Sequence, residues 1–146
     1  MKLTQQKRSQ KNKWFRLLGL FSFLLLSLVA CEQDDPFEDH IANRGRYLGV
    51  WQVTENTGIN HPQFYSVNIS AGTQDDEIVI AGLYNEPNTR VAALVSGNSI
   101  TIPNQTTDGI FFSGDGSANS DFSQILLSFT ADDGSGPDVV EAVMVP

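Results

Sequence analysis

From Tyr47 onward, apolar and polar residues alternate over short runs, and no run keeps the three-to-four-residue spacing of an amphipathic helix. Tyr65, Val67 and Ile69 share one side of an extended segment, opposite Ser66, Asn68 and Ser70. Ile125, Leu127 and Phe129 do the same against Leu126 and Ser128. Eight such segments are predicted as strands: 47–54, 64–70, 77–83, 91–96, 99–103, 109–113, 122–129 and 139–145. Ile, Val, Phe and Tyr dominate them, as a half-buried pleated surface prefers. Between them stand turn formers: Gly97-Asn98 fits a two-residue hairpin loop, and 85–88, 114–121 and 132–137 read as turn clusters. Strands spaced about 8–12 residues apart, with no helical pattern between them, predict an antiparallel sandwich or barrel. Closure into a barrel would also remove exposed sheet edges. The expected fold is therefore all-β, an antiparallel meander closing as a small eight-stranded barrel over 47–146. Segment 36–46 has room for one short helical turn before it.

The first thirty residues follow a different pattern. Lys2, Lys7, Arg8, Lys11, Lys13 and Arg16 precede an apolar stretch of 14 residues, Leu17 to Ala30, broken only by Gly19, Ser22 and Ser27. A basic flank, a short apolar core and a small residue at its end are the physical marks of a signal peptide, expected as a helix over 1–30. The stretch is shorter than the roughly 20 apolar residues a spanning helix needs. It closes on Leu28-Val29-Ala30-Cys31, which resembles the bacterial lipobox. That resemblance implies cleavage before Cys31 and attachment of acyl chains such as palmitate to its sulfur. Read without it, Cys31 is an ordinary buried cysteine ending an uncleaved anchor. As the one cysteine of the chain, it leaves no partner for an intramolecular disulfide, so packing and sheet hydrogen bonds must carry stability.

Charge divides at the same place. The leader holds six basic residues and no acid, whereas residues 31–146 hold Arg44, Arg46 and Arg90 against all 17 acids. Such a domain is repelled by phosphate surfaces, which argues against nucleic-acid binding. Segment 31–46 begins Cys31-Glu32-Gln33-Asp34-Asp35-Pro36, a like-charged run expected to stay extended as a flexible tether. Glu32, Asp34 and Asp35 directly after the lipidated cysteine resemble the lipoprotein export signal of Bacteroidetes-type bacteria. The resemblance implies an outer-membrane lipoprotein displayed on the cell surface, with the periplasmic leaflet as the alternative address. Two acyl chains suffice for stable attachment, at about 0.8 kcal/mol per buried methylene.

The segment Tyr47-Leu48-Gly49-Val50-Trp51-Gln52-Val53 resembles the opening strand of small Bacteroidetes-type surface lipoproteins. Its Gly49-x-Trp51 is also similar to the mark of lipocalin-like, or calycin, barrels. There the tryptophan plugs the closed end and the glycine lets backbone pass close by. The lipocalin pattern adds a basic residue over the tryptophan. Arg44 and Arg46 are the candidates, Arg90 a weaker one. Trp51 has a simpler account as a large core residue, stabilising by burial alone.

Catalytic equipment is sparse. There is no Gly-x-Ser-x-Gly, His-Glu-x-x-His, Cys-x-x-Cys or phosphate-binding glycine loop, so no enzyme, cofactor or catalytic residue is expected. His40 falls in the tether and His61, before Pro62, in a solvated loop. The acids Asp75, Asp76, Glu77, Asp132 and Asp133 stand in turn contexts, where acids are usual. Asp115 to Asp121 spaces oxygen side chains like the front of a calcium loop, but Ser120 and Leu126 occupy the glycine and bidentate-glutamate positions. A hairpin accounts for the same residues, and no metal is expected. The functional expectation is a non-enzymatic binding or accessory module held to the membrane through Cys31. Its contact would be a small apolar ligand, a glycan or a protein partner. The rival is a structural or interaction protein with a fully packed barrel. Enough inward Ile, Val, Leu and Phe exist to tilt towards the filled form.

Overall fold

The structure is a computed structural model, and it describes residues 43–146. Cys31, Glu32, Asp34 and Asp35, with the whole leader and His40, lie outside the described residues. Eight antiparallel strands follow one another around a closed barrel: β1 (Gly49–Glu55), β2 (Gln63–Ala71), β3 (Glu77–Ala81), β4 (Arg90–Ser96), β5 (Ser99–Thr107), β6 (Ile110–Ala118), β7 (Ile125–Asp132) and β8 (Asp138–Val145). β1 closes on β8 with Val53 opposite Met144. The expected all-β, eight-stranded antiparallel barrel is the observed fold.

The alternation read from the sequence becomes the inside and outside of the wall. Trp51 and Val53 on β1, Val67 and Ile69 on β2, and Ile125, Leu127 and Phe129 on β7 all point inward and are buried. With Ile78, Ile80, Val91, Ile100, Phe112, Val140 and Met144 they form one continuous apolar core. Phe112 and Phe129 pack at 6.3 Å between ring centroids. Among the described residues, these side chains form the one buried cluster inside the wall, the arrangement by which an eight-stranded barrel can be filled.

The expected strand 122–129 starts only at Ile125, because Phe122 turns in the preceding loop at φ 58°, and three further segments depart from the sequence expectation. Residues 114–121, read as a turn, belong largely to β6, which pairs with β7 from Phe111 to Ala118. Gly114 and Gly116 sit there for close approach: a Cβ on Gly114 would come within 2.3 Å of the Ser128 carbonyl, and one on Gly116 within 2.5 Å of the Leu126 carbonyl. The strand expected to stop at Pro103 runs on to Thr107 through a bulge between Ile102 and Gln105. Proline fits at a bulge because the ladder asks no N–H of it there. Beside it, the Gln105 amide takes the place of a backbone partner for β4. Its Oε1 accepts from Ala92 N–H at 2.8 Å, and its Nε2 donates to the Ala92 carbonyl at 2.7 Å. Finally, the expected strand 77–83 stops at Ala81, and Leu83–Asn85 forms a 3₁₀ turn that buries Leu83.

Candidate functional site

The two ends of the barrel close by opposite chemistry. One end gathers the connections 72–76, 97–98 and 119–124, and the chain reaches it through a helical turn at 43–45. Tyr47 then drops into the core, fully buried, with its ring edge-on to Phe122 at 4.9 Å. Its hydroxyl donates to the Gly97 carbonyl at 3.0 Å. Burial pushes this phenol up to about 12, against a smaller opposing pull from Arg46. Trp51 Nε1 donates to the Tyr47 carbonyl at 2.8 Å, so the indole also satisfies its one polar atom inside the plug. Arg46 lays its guanidinium 3.8 Å from the Phe122 ring centroid and donates to the Ser120 carbonyl. Arg44 reaches the Gln74 carbonyl at 2.6 Å. Two arginines thus pin the aromatic plug to two loops.

The other end carries the polar residues the sequence did not single out. Glu55, the last residue of β1, continues the inward face of Trp51 and Val53 and is only 1% exposed. The Tyr65 hydroxyl donates to its Oε1 at 2.5 Å and accepts the Tyr84 N–H at 3.0 Å. Tyr84 sits in the left-handed region, φ 65°, and its own hydroxyl donates to Asp138 Oδ2 at 2.8 Å. Asp138, itself buried, accepts the Ile59 N–H on both carboxylate oxygens at 3.0 Å. Thr57 ties the same loop to β8, accepting the Glu141 N–H at 2.7 Å. Two buried carboxylates therefore hold the 56–62 loop and the 3₁₀ turn over this mouth, linked through two phenols.

The electrostatics of this chain follow from burial. Desolvation raises the Glu55 carboxyl above its ordinary range and outweighs the Tyr65 hydrogen bond, while the Asp138 charge adds to the rise. Desolvation also raises Tyr65, with help from its bond to Glu55, and lifts Tyr84 to about 12, assisted by its bond to Asp138. Both phenols are therefore donors at neutral pH. Such a chain can hold a proton and fix loops. It offers no activated nucleophile among its four side chains.

The outer wall supplies the third feature. Register places Leu126, Val143, Thr54 and Phe64 side by side across β7, β8, β1 and β2. All four are outward positions; Phe64 is 72% exposed and Leu126 52%. Val145, beside Gln52, and Val50 extend the same wall. The opposite wall differs in kind: Ser99 faces Ser117 and Thr101 faces Asp115 across β5 and β6, all exposed.

A structural comparison finds the barrel similar to a redesigned β-barrel, with a TM-score of 0.50, at 13% identity over 71% of this chain and 94% of that chain. At that identity the likeness carries the fold alone. No protein-family model matches the sequence, and no curated protein matches it.

The residues singled out from the sequence are placed as follows. Gly49 opens β1 at φ 131°, and a Cβ there would meet nothing within 4 Å. Its backbone angle calls for glycine, where the resemblance implied a close approach. Trp51 is a buried core residue of the plugged end. Arg46 lies over Phe122, and Arg90 stands at the opposite end, donating to the Thr89 carbonyl. His61 is exposed, with Nδ1 2.6 Å from the Gly58 carbonyl. Asp121 accepts from the Ser123 N–H and hydroxyl, and Asn119 caps Gln124 N–H, so the oxygens of the loop serve the hairpin itself. Among the described residues, no group of three or more His, Cys, Asp or Glu is arranged to hold a metal. Glu55 was legible only as the next inward step of its strand. Tyr84 and Asp138 lie 19 and 54 positions from their partners Tyr65 and Tyr84, beyond any local pattern.

Proposed function

We propose that this chain is a bacterial outer-membrane lipoprotein, anchored through acyl chains on Cys31, whose barrel acts at the cell surface as a non-enzymatic interaction module. The packed interior carries the second half of that reading. Inward side chains from all eight strands join one buried cluster, with Tyr47 and Phe122 across one end and Leu83 under the other. Binding then falls to the outer wall and loops, and the exposed apolar row favours a protein partner over a small apolar ligand or a glycan. The acidic run Glu32, Asp34 and Asp35 supports surface display.

Native mass spectrometry of residues 32–146, produced without lipid in the periplasm of a bacterial host, tests the packed interior. The expected result is the bare mass of the domain. An extra mass that disappears on denaturation overturns it in favour of a small-molecule carrier. Anchoring is tested on the full chain: Cys31→Ser should lose radiolabelled palmitate and leave the membrane fraction. Protease treatment of intact cells should remove the domain if it is displayed outside.

A further inference from the structure

We infer that the outward face of β7, β8, β1 and β2 docks an extended segment of a partner protein, one whose apolar side chains are flanked by lysine or arginine. This deepens the proposed interaction role and rests on it. The row Leu126–Val143–Thr54–Phe64 crosses four strands, which at 4.7–4.9 Å per strand spans roughly 14 Å. Three alternate side chains of an extended segment span roughly the same distance at about 3.4 Å per residue. Phe64 is the most exposed aromatic of the barrel wall, at 72%; Val145 (41%), one outward step past Val143 on β8, borders the row, and Val50 (58%) lies further along β1 beyond Gln52. Phe64 and Leu126 stand at the two ends of the row with half-buried Thr54 and Val143 between them, and exposed apolar side chains gathered on one wall mark contact surfaces. The Ser/Thr/Asp wall of β5 and β6 shows that the barrel can be polar outside where nothing else is asked of it.

Charge selects the partner. These four strands contain no lysine, arginine or histidine, and their charges are Glu55, Asp132, Asp138 and Glu141. Glu55 and Asp138 are buried, so the charges left to the outer wall are acidic, with Glu141 two residues from Val143 along β8. A cationic rim on the partner would meet them; a second copy would set like charges against each other. A second copy is also a poor fit by size. A row of four side chains falls far short of the roughly 20–30 residues a side of a standard stable interface. An anionic bilayer is excluded by the same charge argument.

The test uses residues 32–146, because every strand and every core side chain lies within 47–145. The probe is a nine-residue synthetic peptide with three alternate apolar residues between paired lysines. Its control keeps the apolar residues and replaces lysine by glutamate. Amide chemical-shift mapping should place the lysine peptide on β7, β8, β1 and β2, with affinity falling at least fivefold from 50 to 300 mM salt. The double variant Phe64→Ser, Leu126→Ser should weaken it at least tenfold, while Thr101→Ala on the opposite wall should not. The inference is overturned by no binding, by equal binding of the glutamate peptide, or by shifts elsewhere on the barrel. It is equally overturned if sedimentation shows the free domain pairing through these residues, or if neutral phosphatidylcholine vesicles cover them instead. The peptide maps the outer wall whatever mass spectrometry finds inside the barrel, so the two readings fail separately.

Discussion

The plugged end and the polar end solve one problem, sealing an eight-stranded barrel, with different physics. At the plugged end the seal is apolar area: Tyr47, Trp51 and Phe122 are buried, and Arg44 and Arg46 reach over them from the rim. At the polar end the seal is a chain of hydrogen bonds from Glu55 through Tyr65 and Tyr84 to Asp138, with charge inside and loops laid over it. Apolar burial is insensitive to pH. Buried carboxylates are not. The two ends should therefore differ in how much stability they supply and in what conditions change it.

The largest effect is expected at the plug. Trp51→Ala removes a buried indole and its bond to the Tyr47 carbonyl, and large-to-small core changes of this kind cost about 3–5 kcal/mol. For a domain of this size that is a large part of total stability, roughly 5–15 kcal/mol. Urea unfolding of residues 32–146, followed by the fluorescence that remains, should show the midpoint collapse with little dependence on pH. A loss under about 1 kcal/mol would mean that the end is held by its loops rather than its aromatics.

Glu55→Gln probes the other end, and its signature is a slope rather than a loss. The folded-state carboxyl titrates above its ordinary 4.5, mainly through desolvation, so the folded protein holds a proton the unfolded chain has released. Stability from this group is then fully present below the unfolded value and declines as pH rises through the window up to the folded one. Glutamine keeps an oxygen to accept from Tyr65 and carries no charge. The variant should unfold at higher urea than the parent at pH 7, and its stability should be flatter with pH above 4.5. A variant weaker than the parent at pH 7 would show that the Tyr65–Glu55 bond outweighs the cost of burying the charge.

The same contrast explains what the sequence could tell. The plug was half legible: Trp51 stood out in Gly49-x-Trp51 and read as a large core residue, and Tyr47 stood within the segment expected as the first strand. The strands were legible because side chains two apart report a common face. Gly114–Gly116 misled because glycine in a strand and glycine in a turn look alike until the neighbouring carbonyls are in place. The polar end was nearly invisible. An acid at the end of a strand reads as the start of a loop, and the partners that make Glu55 a buried group come from β2, the 3₁₀ turn and β8. The outer apolar row needed register across four strands, although Leu126, sharing the outward face of β7 with Ser128, already hinted at it.

The smallest effect is expected from Arg46→Ala. Arg46 is exposed at the rim of the apolar end. Its guanidinium over Phe122 at 3.8 Å should contribute about 0.5–1 kcal/mol, the range for cation–π pairs at exposed sites. Its bond to the Ser120 carbonyl is long at 3.2 Å and open to solvent, so water replaces it at little cost. Loss should therefore stay within about 1 kcal/mol in urea, and Arg46→Lys should recover only part of it, because a compact ammonium stacks less well than a planar guanidinium. Hydrogen exchange should quicken in the 119–124 loop and remain unchanged in the 56–62 loop, which Asp138 holds from the other end. A loss as large as that of Trp51→Ala would place charge, rather than aromatic area, at the centre of the plug and would erase the distinction between the two ends.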